Sequence, residues 1–195
     1  MEIERYKDGD GKQKSHRYLN SKYNRAIKEG FYFEAILIAY NLVEDRLIAF
    51  LHYAGIVSRD AEELKITKRT KKSIRFLMEK KESERLNVKN IEFKLDVIEK
   101  ILRQKETEDD YLKELFLQVN STLDSDEFLA KLIECREWKN ARNKYVHGLA
   151  NKNPLDVENY AEMLAEQGHN LARTFDNYVG KFSRKNNIRR KFKIQ

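Results

Sequence analysis

Helix breakers are nearly missing from this chain: one proline and seven glycines in 195 residues. With abundant Leu, Ile, Lys, Glu and Arg, that scarcity favours helices throughout. The single cysteine, Cys135, excludes an internal disulfide and fits a reducing compartment. No apolar run is long and charge-free enough to cross a bilayer, so no membrane partner is expected. The opening MEIERYKDGDGKQK has no apolar segment of the secretory kind, which makes cytoplasm the expected location. Neither an internal repeat nor a low-complexity linker divides the sequence. The length then fits one domain, 1–195, large enough to bury a real core.

Acids are absent from the last fifteen residues, which hold Lys181, Arg184, Lys185, Arg189, Arg190, Lys191 and Lys193. Subtracting those seven from 39 lysines and arginines leaves 32, which balance the 32 acids, so the net charge of +7 belongs to this tail. Asn186-Asn187 and the charge density oppose a long helix end, so residues 183–195 are expected to be flexible. Lys185, Arg189, Arg190 and Lys191 are the residues expected to gather a polyanion such as RNA. A solubilising end without a ligand is the alternative.

Residues 1–14 read as a mobile lead-in, with Asp8-Gly9-Asp10-Gly11 a turn. The string has the look of a calcium loop, but Lys12 falls where the next oxygen ligand should stand. A first helix is predicted over Ser15–Glu29, with Tyr18, Leu19, Tyr23, Ala26 and Ile27 inward. Phe31–Tyr53 is the most apolar segment and should be the central helix. Its Glu34, Asn41, Asp45 and His52 share one narrow polar stripe, flanked by Glu44 and Arg46. The stripe is either a solvent edge or a buried polar seam whose acids seek cations, with Lys139 and Arg142 as candidates.

Residues 54–90 read least clearly, with a basic cluster (Lys68, Arg69, Lys71, Lys72) ahead of a short helix near Ser73–Lys81. Ile91, Leu95, Ile98, Ile101 and Leu102 mark one amphipathic helix, and Tyr111, Leu112, Leu115, Phe116 and Val119 another. After Pro154, suited to a first helical turn, the apolar positions Val157, Tyr160, Ala161, Leu164, Leu171, Phe175, Tyr178, Val179 and Phe182 recur at helical spacing. That stripe is read as core rather than a nucleic-acid platform. The sum is an all-α bundle of about six or seven helices.

The stretch that carries chemistry is Glu127–Gly148, EFLAKLIECREWKNARNKYVHG, started by an Asp124/Glu127 capping box. Phe128, Leu132 and Cys135 trace its buried face; the continuation is cationic, through Lys139, Arg142, Asn143 and His147. Metal-free RNA cleavage needs a base for the ribose 2′-hydroxyl, an acid for the leaving oxygen and a cation for the phosphorane. Histidine titrates near neutrality and serves either proton role. Arginine stays charged and grips phosphate oxygens with a planar fork. Asn143, one turn before His147, can orient the imidazole or bind phosphate. Asp45 first, then Glu44, with Asn41 nearby, are the groups expected to fix Arg142 or His147. The bland alternative is a helix-terminal histidine satisfying carbonyls and an arginine in a surface ion pair. His16, His52 and His169 share no ligand spacing with His147, so neither a metal site nor a cofactor is expected.

The string RNKYVH, closing a long helix late in an all-helical chain, resembles the R-x4-H motif of the HEPN (higher eukaryotes and prokaryotes nucleotide-binding) family. The resemblance extends to the asparagine after the arginine and covers roughly Ser15–Phe182. It implies an HEPN-like up-and-down bundle and a metal-independent endoribonuclease acting in phage defence or as a toxin. Because Arg142 and His147 stand ~140° apart on an ideal helix, and one histidine must do two jobs, it further implies a homodimer whose cleft holds both motifs. An antitoxin or other regulator is a possible further partner. One toxin branch places a tyrosine two residues after the histidine. Here that position is Leu149, which puts control by modification there in doubt. The alternatives are a non-catalytic HEPN module that binds nucleotide or RNA, and a structural dimerisation bundle.

Overall fold

The computed structural model describes residues 9–58, 64–148 and 153–194, and these form an all-α helical bundle. Eight helices occur among the described residues: α1 (Gly9–Lys28), α2 (Tyr32–Tyr53), α3 (Lys71–Leu77), α4 (Ile91–Arg103), α5 (Asp110–Thr122), α6 (Ser125–Gly148), α7 (Pro154–Lys185) and α8 (Ile188–Lys191). An antiparallel pair of two-residue strands, β1 (Val57–Ser58) and β2 (Lys65–Ile66), sits Val57 opposite Ile66. None of the described helices is long and apolar enough to cross a membrane. By compactness the chain divides into two units, residues 1–43 with 138–172 and residues 44–137 with 173–195.

In the first unit, α1 starts six residues earlier than expected, so Gly9-Asp10-Gly11 is helical rather than a turn. Its buried face is Tyr23 and Ala26, while Tyr18 is 60% exposed, because it lies well around the helix from Tyr23. Ala35, Ile36 and Ala39 of α2 are fully buried. On α7, Ala161, Leu164 and Leu171 are core as read, joined by Ala165, but Tyr160 is exposed and Val157 only half-buried. The centre of this unit is Trp138. Its indole Nε1 donates to the Leu164 carbonyl at 2.8 Å, and its ring lies so close to Gly168 that a Cβ there would meet Cζ2 at 2.3 Å. Glycine inside a helix costs about 1 kcal/mol relative to alanine; here it makes room for the indole. Gly168→Ala should therefore destabilise the protein by about 1–3 kcal/mol through overpacking, despite the better helix propensity. Thermal unfolding measures this, and a raised melting temperature would show that the indole can swing away.

The second unit is built on aromatic packing. Phe50 stacks on Phe182 with centroids 4.9 Å apart and meets Phe128 edge-on at 5.4 Å; Phe128 stacks on Tyr178 at 4.4 Å. Each such pair adds about 0.5–1.5 kcal/mol beyond its burial. Every apolar position read on α4 and α5 is buried. Their starts are fixed by side-chain caps: Asn90 accepts from the Glu92 N–H, and Asp109 from Leu112. Asp109 also accepts from the Ser73 hydroxyl at 2.7 Å, which ties α5 to α3. Asp124 caps α6 by accepting from the Glu127 N–H at 2.9 Å, half of the expected capping box. The glycine after α2, Gly55, takes a φ of +78°, and the next residue's N–H returns to Leu51. That closing motif suits glycine, whose left-handed backbone carries no Cβ penalty.

The basic C-terminal segment belongs to this packed unit, which corrects the expectation of a flexible tail. Ile188 and Ile194 are buried, and Ile194 lies against Gly55. Asn186 donates to the Tyr53 carbonyl at 2.8 Å, and the Asn187 N–H to Gln118 at 3.0 Å. The two asparagines read as helix breakers serve as connectors. Charge density was outweighed by two well-placed isoleucines, each worth roughly 1.5–3 kcal/mol when buried.

Candidate functional site

The motif residues occupy the last turns of α6, in the first unit. Arg142 is half-buried, and its guanidinium carbon lies 4.5 Å from the centroid of the Tyr40 ring. A cation over a tyrosine face gains about 0.5–2 kcal/mol, more as water is excluded. The Nη1 of Arg142 donates to the Asn143 side-chain oxygen at 3.0 Å, while its buried Nε has no hydrogen-bond acceptor among the described residues. Tyr40 in turn leans on Trp138, ring centroids 6.4 Å apart. Trp138 is pinned by Leu164 and Gly168, so a continuous row of packed groups supports the arginine from below.

His147 is exposed near the end of α6. Asn143 was expected to orient this histidine or bind phosphate; its amide oxygen instead receives Arg142. Lys139 is half-buried on the same helix, and Asn41 is exposed and donates back to the Leu37 carbonyl at 2.9 Å. Leu149 lies outside the described residues.

The two acids read as partners of the motif make these contacts in the second unit. Glu44 accepts from Lys94 Nζ at 2.7 Å, and Lys94 is fully buried. Asp45 pairs with Arg46, which also reaches Asp176 at 2.6 Å. Glu44 therefore meets Lys94, which is neither of the expected cations Lys139 and Arg142. A signal for it was present: Lys94 stands on the α4 apolar face, three residues after Ile91 and four before Ile98, where a lysine must find a buried counter-charge.

Of the four tail cations, Arg189 donates to the carbonyls of His52 (3.1 Å) and Val57 (3.3 Å), and Lys191 to Glu114 (2.7 Å). Lys185 and Arg190 are exposed. The basic cluster on Lys68, Arg69, Lys71 and Lys72 is a solvated face. Among the described residues no group of three or more His, Cys, Asp or Glu is arranged to hold a metal ion. Cys135 is buried on the apolar face of α6.

Chemically, the α6 end offers a guanidinium held on a ring face and an exposed imidazole on one helix. Such a pair can grip a phosphate and move a proton. Among the described residues the acceptor of Arg142 Nη1 is a neutral amide, so a phosphate would not have to displace an ion pair there. No family model, curated protein or solved structure matches the chain.

Proposed function

We propose that the protein is a metal-independent endoribonuclease that cleaves single-stranded RNA with Arg142 and His147, in phage defence or as a toxin. The observation that supports this most is the state of Arg142: its guanidinium rests on the Tyr40 ring and an amide, so its positive charge remains available for a phosphate. In the reaction, Arg142 neutralises the phosphorane. A histidine takes the 2′-hydroxyl proton and another returns one to the 5′-oxygen. Two copies of His147 supply both roles in a two-fold homodimer, with α6 at the interface. An antitoxin or regulator that covers this end is part of the proposal.

The direct test is incubation of purified protein with single-stranded RNA in EDTA. Fragments ending in 2′,3′-cyclic phosphate are expected, and DNA, lacking the 2′-hydroxyl, should survive. A second reading, a non-catalytic module that binds RNA or nucleotide, is favoured by the turning of Asn143 towards Arg142 rather than His147. Binding without any cutting would select it.

The exposed Lys185 at the end of α7 and Arg190 in α8 would gather RNA through its phosphates. Lys185→Gln and Arg190→Gln should each flatten the slope of log K against log salt by ~0.7 for single strands. Filter binding at several salt concentrations measures this, and an unchanged slope assigns both residues to solubility. Arg189 and Lys191 are poor choices for that test, because their loss would disturb the packing of the second unit.

A further inference from the structure

The first unit carries a second surface that the RNA reading does not use. Two concavities flank Tyr145, each about 400 Å³. One is lined by Phe31, Tyr32, Phe33, Glu34, Tyr145 and Glu158, the other by Tyr145, Asn153, Asp156, Val157 and Tyr160. Among the described residues neither lining contains a lysine or arginine. The aromatic groups are open to water: Phe31 is 56% exposed and Phe33 43%. The turn that puts them there is Gly30, whose φ of +76° reverses the chain between α1 and α2.

Charge on the α7 side of this surface has one sign, whereas on the α1 side Phe31 and Glu34 also border Lys22 and Arg25. From Pro154 to Ala172, α7 holds Asp156, Glu158, Glu162 and Glu166 and no lysine or arginine, in a chain whose net charge is +7. Partial burial and the carboxylates of Glu162, Glu158 and Glu166 hold the Tyr32 phenol above its ordinary value, a sign of the local negative potential.

We infer that this groove docks a basic peptide segment of a partner protein, seating an arginine or lysine in each concavity on either side of Tyr145. Three facts carry this. Ring faces attract guanidinium and ammonium groups by about 0.5–1 kcal/mol when exposed, and more once water is excluded. The carboxylates at the rim complement cations and repel phosphates, so a nucleic acid is the wrong occupant. Exposed aromatic groups clustered on one surface are otherwise a liability that monomeric proteins avoid. The inference is independent of ribonuclease activity.

The probe is a fluorescein-labelled amphipathic Arg/Leu peptide of about fifteen residues, titrated with the full chain and followed by anisotropy. The same peptide with glutamate for arginine is the control. Saturable binding of the arginine peptide alone is expected, weakened at least ~10-fold in a Glu34→Arg, Glu158→Arg double variant. Both positions are exposed, and circular dichroism verifies that the variant folds. Reversing Glu134→Arg, an exposed acid of the second unit, should leave affinity unchanged. Phe31→Ala should weaken binding without altering net charge. Equal binding of the two peptides, no binding, or indifference to the Glu34/Glu158 reversal would each overturn the inference.

Discussion

His147→Ala is expected to lower the single-turnover rate of RNA cleavage by ~10²–10⁴-fold, the usual worth of a positioned proton-transfer group. Helical content should not change, since the side chain is exposed and no core contact is lost. Arg142→Ala should be comparably severe. Arg142→Lys should recover little, because an ammonium supplies the charge but not the planar fork. A discriminating series lies beneath the arginine. Tyr40→Phe keeps the ring and should keep most activity. Tyr40→Leu removes the face that holds the guanidinium 4.5 Å above it and should cost roughly 10-fold or more through misplacement. Cleavage that survives in His147→Ala at the wild-type rate would remove the assignment altogether. Equal activity of Tyr40→Leu and Tyr40→Phe would confine Tyr40 to packing.

Lys94→Ala should produce the largest loss of stability. The lysine side chain is 1% exposed and its Nζ bonds both Glu44 and the Lys89 carbonyl. Removing one partner of a buried pair typically costs 3–5 kcal/mol, since the other charge stays in a poor solvent. Glu44 retains a quarter of its side-chain exposure, so water can take over part of the work. The expected loss is therefore near 3 kcal/mol, or roughly 6–12 °C in melting temperature for a chain of this length. A Lys94→Met, Glu44→Leu double variant should recover most of it, because both polar groups leave together. Urea unfolding of the four variants closes the cycle. A loss below about 1 kcal/mol for Lys94→Ala would mean that water already shares this pair.

The sequence revealed the helices wherever apolar spacing was regular, as on α4, α5 and the Phe128–Leu132–Cys135 face. Pro154 opens α7 as its chemistry suggested. The tail was misread because residue-by-residue charge hides the effect of Ile188 and Ile194, whose burial depends on a surface formed elsewhere in the sequence. Tyr18 and Tyr160 show the converse: an aromatic at near-helical spacing is not core unless something covers it. At the candidate site the motif's position on a helix end could be read directly. The support beneath Arg142 could not, because Tyr40 is about a hundred residues away and nothing in its neighbours marks it as a platform. Lys94 was readable in principle, from the oddity of a lysine on an apolar stripe.

The single tryptophan and the single cysteine fall three residues apart on α6, on opposite sides of the division into units: Trp138 in the first, Cys135 in the second. Nature has thereby supplied two private reporters. Indole emission follows the first unit alone, since no other tryptophan contributes. The rate at which a thiol reagent reaches Cys135, fully buried at rest, times the opening of the second. If the units melt as one body, the two signals share a midpoint in denaturant; if one loosens ahead of the other, the colour change and the labelling rate part company, without any mutation being made.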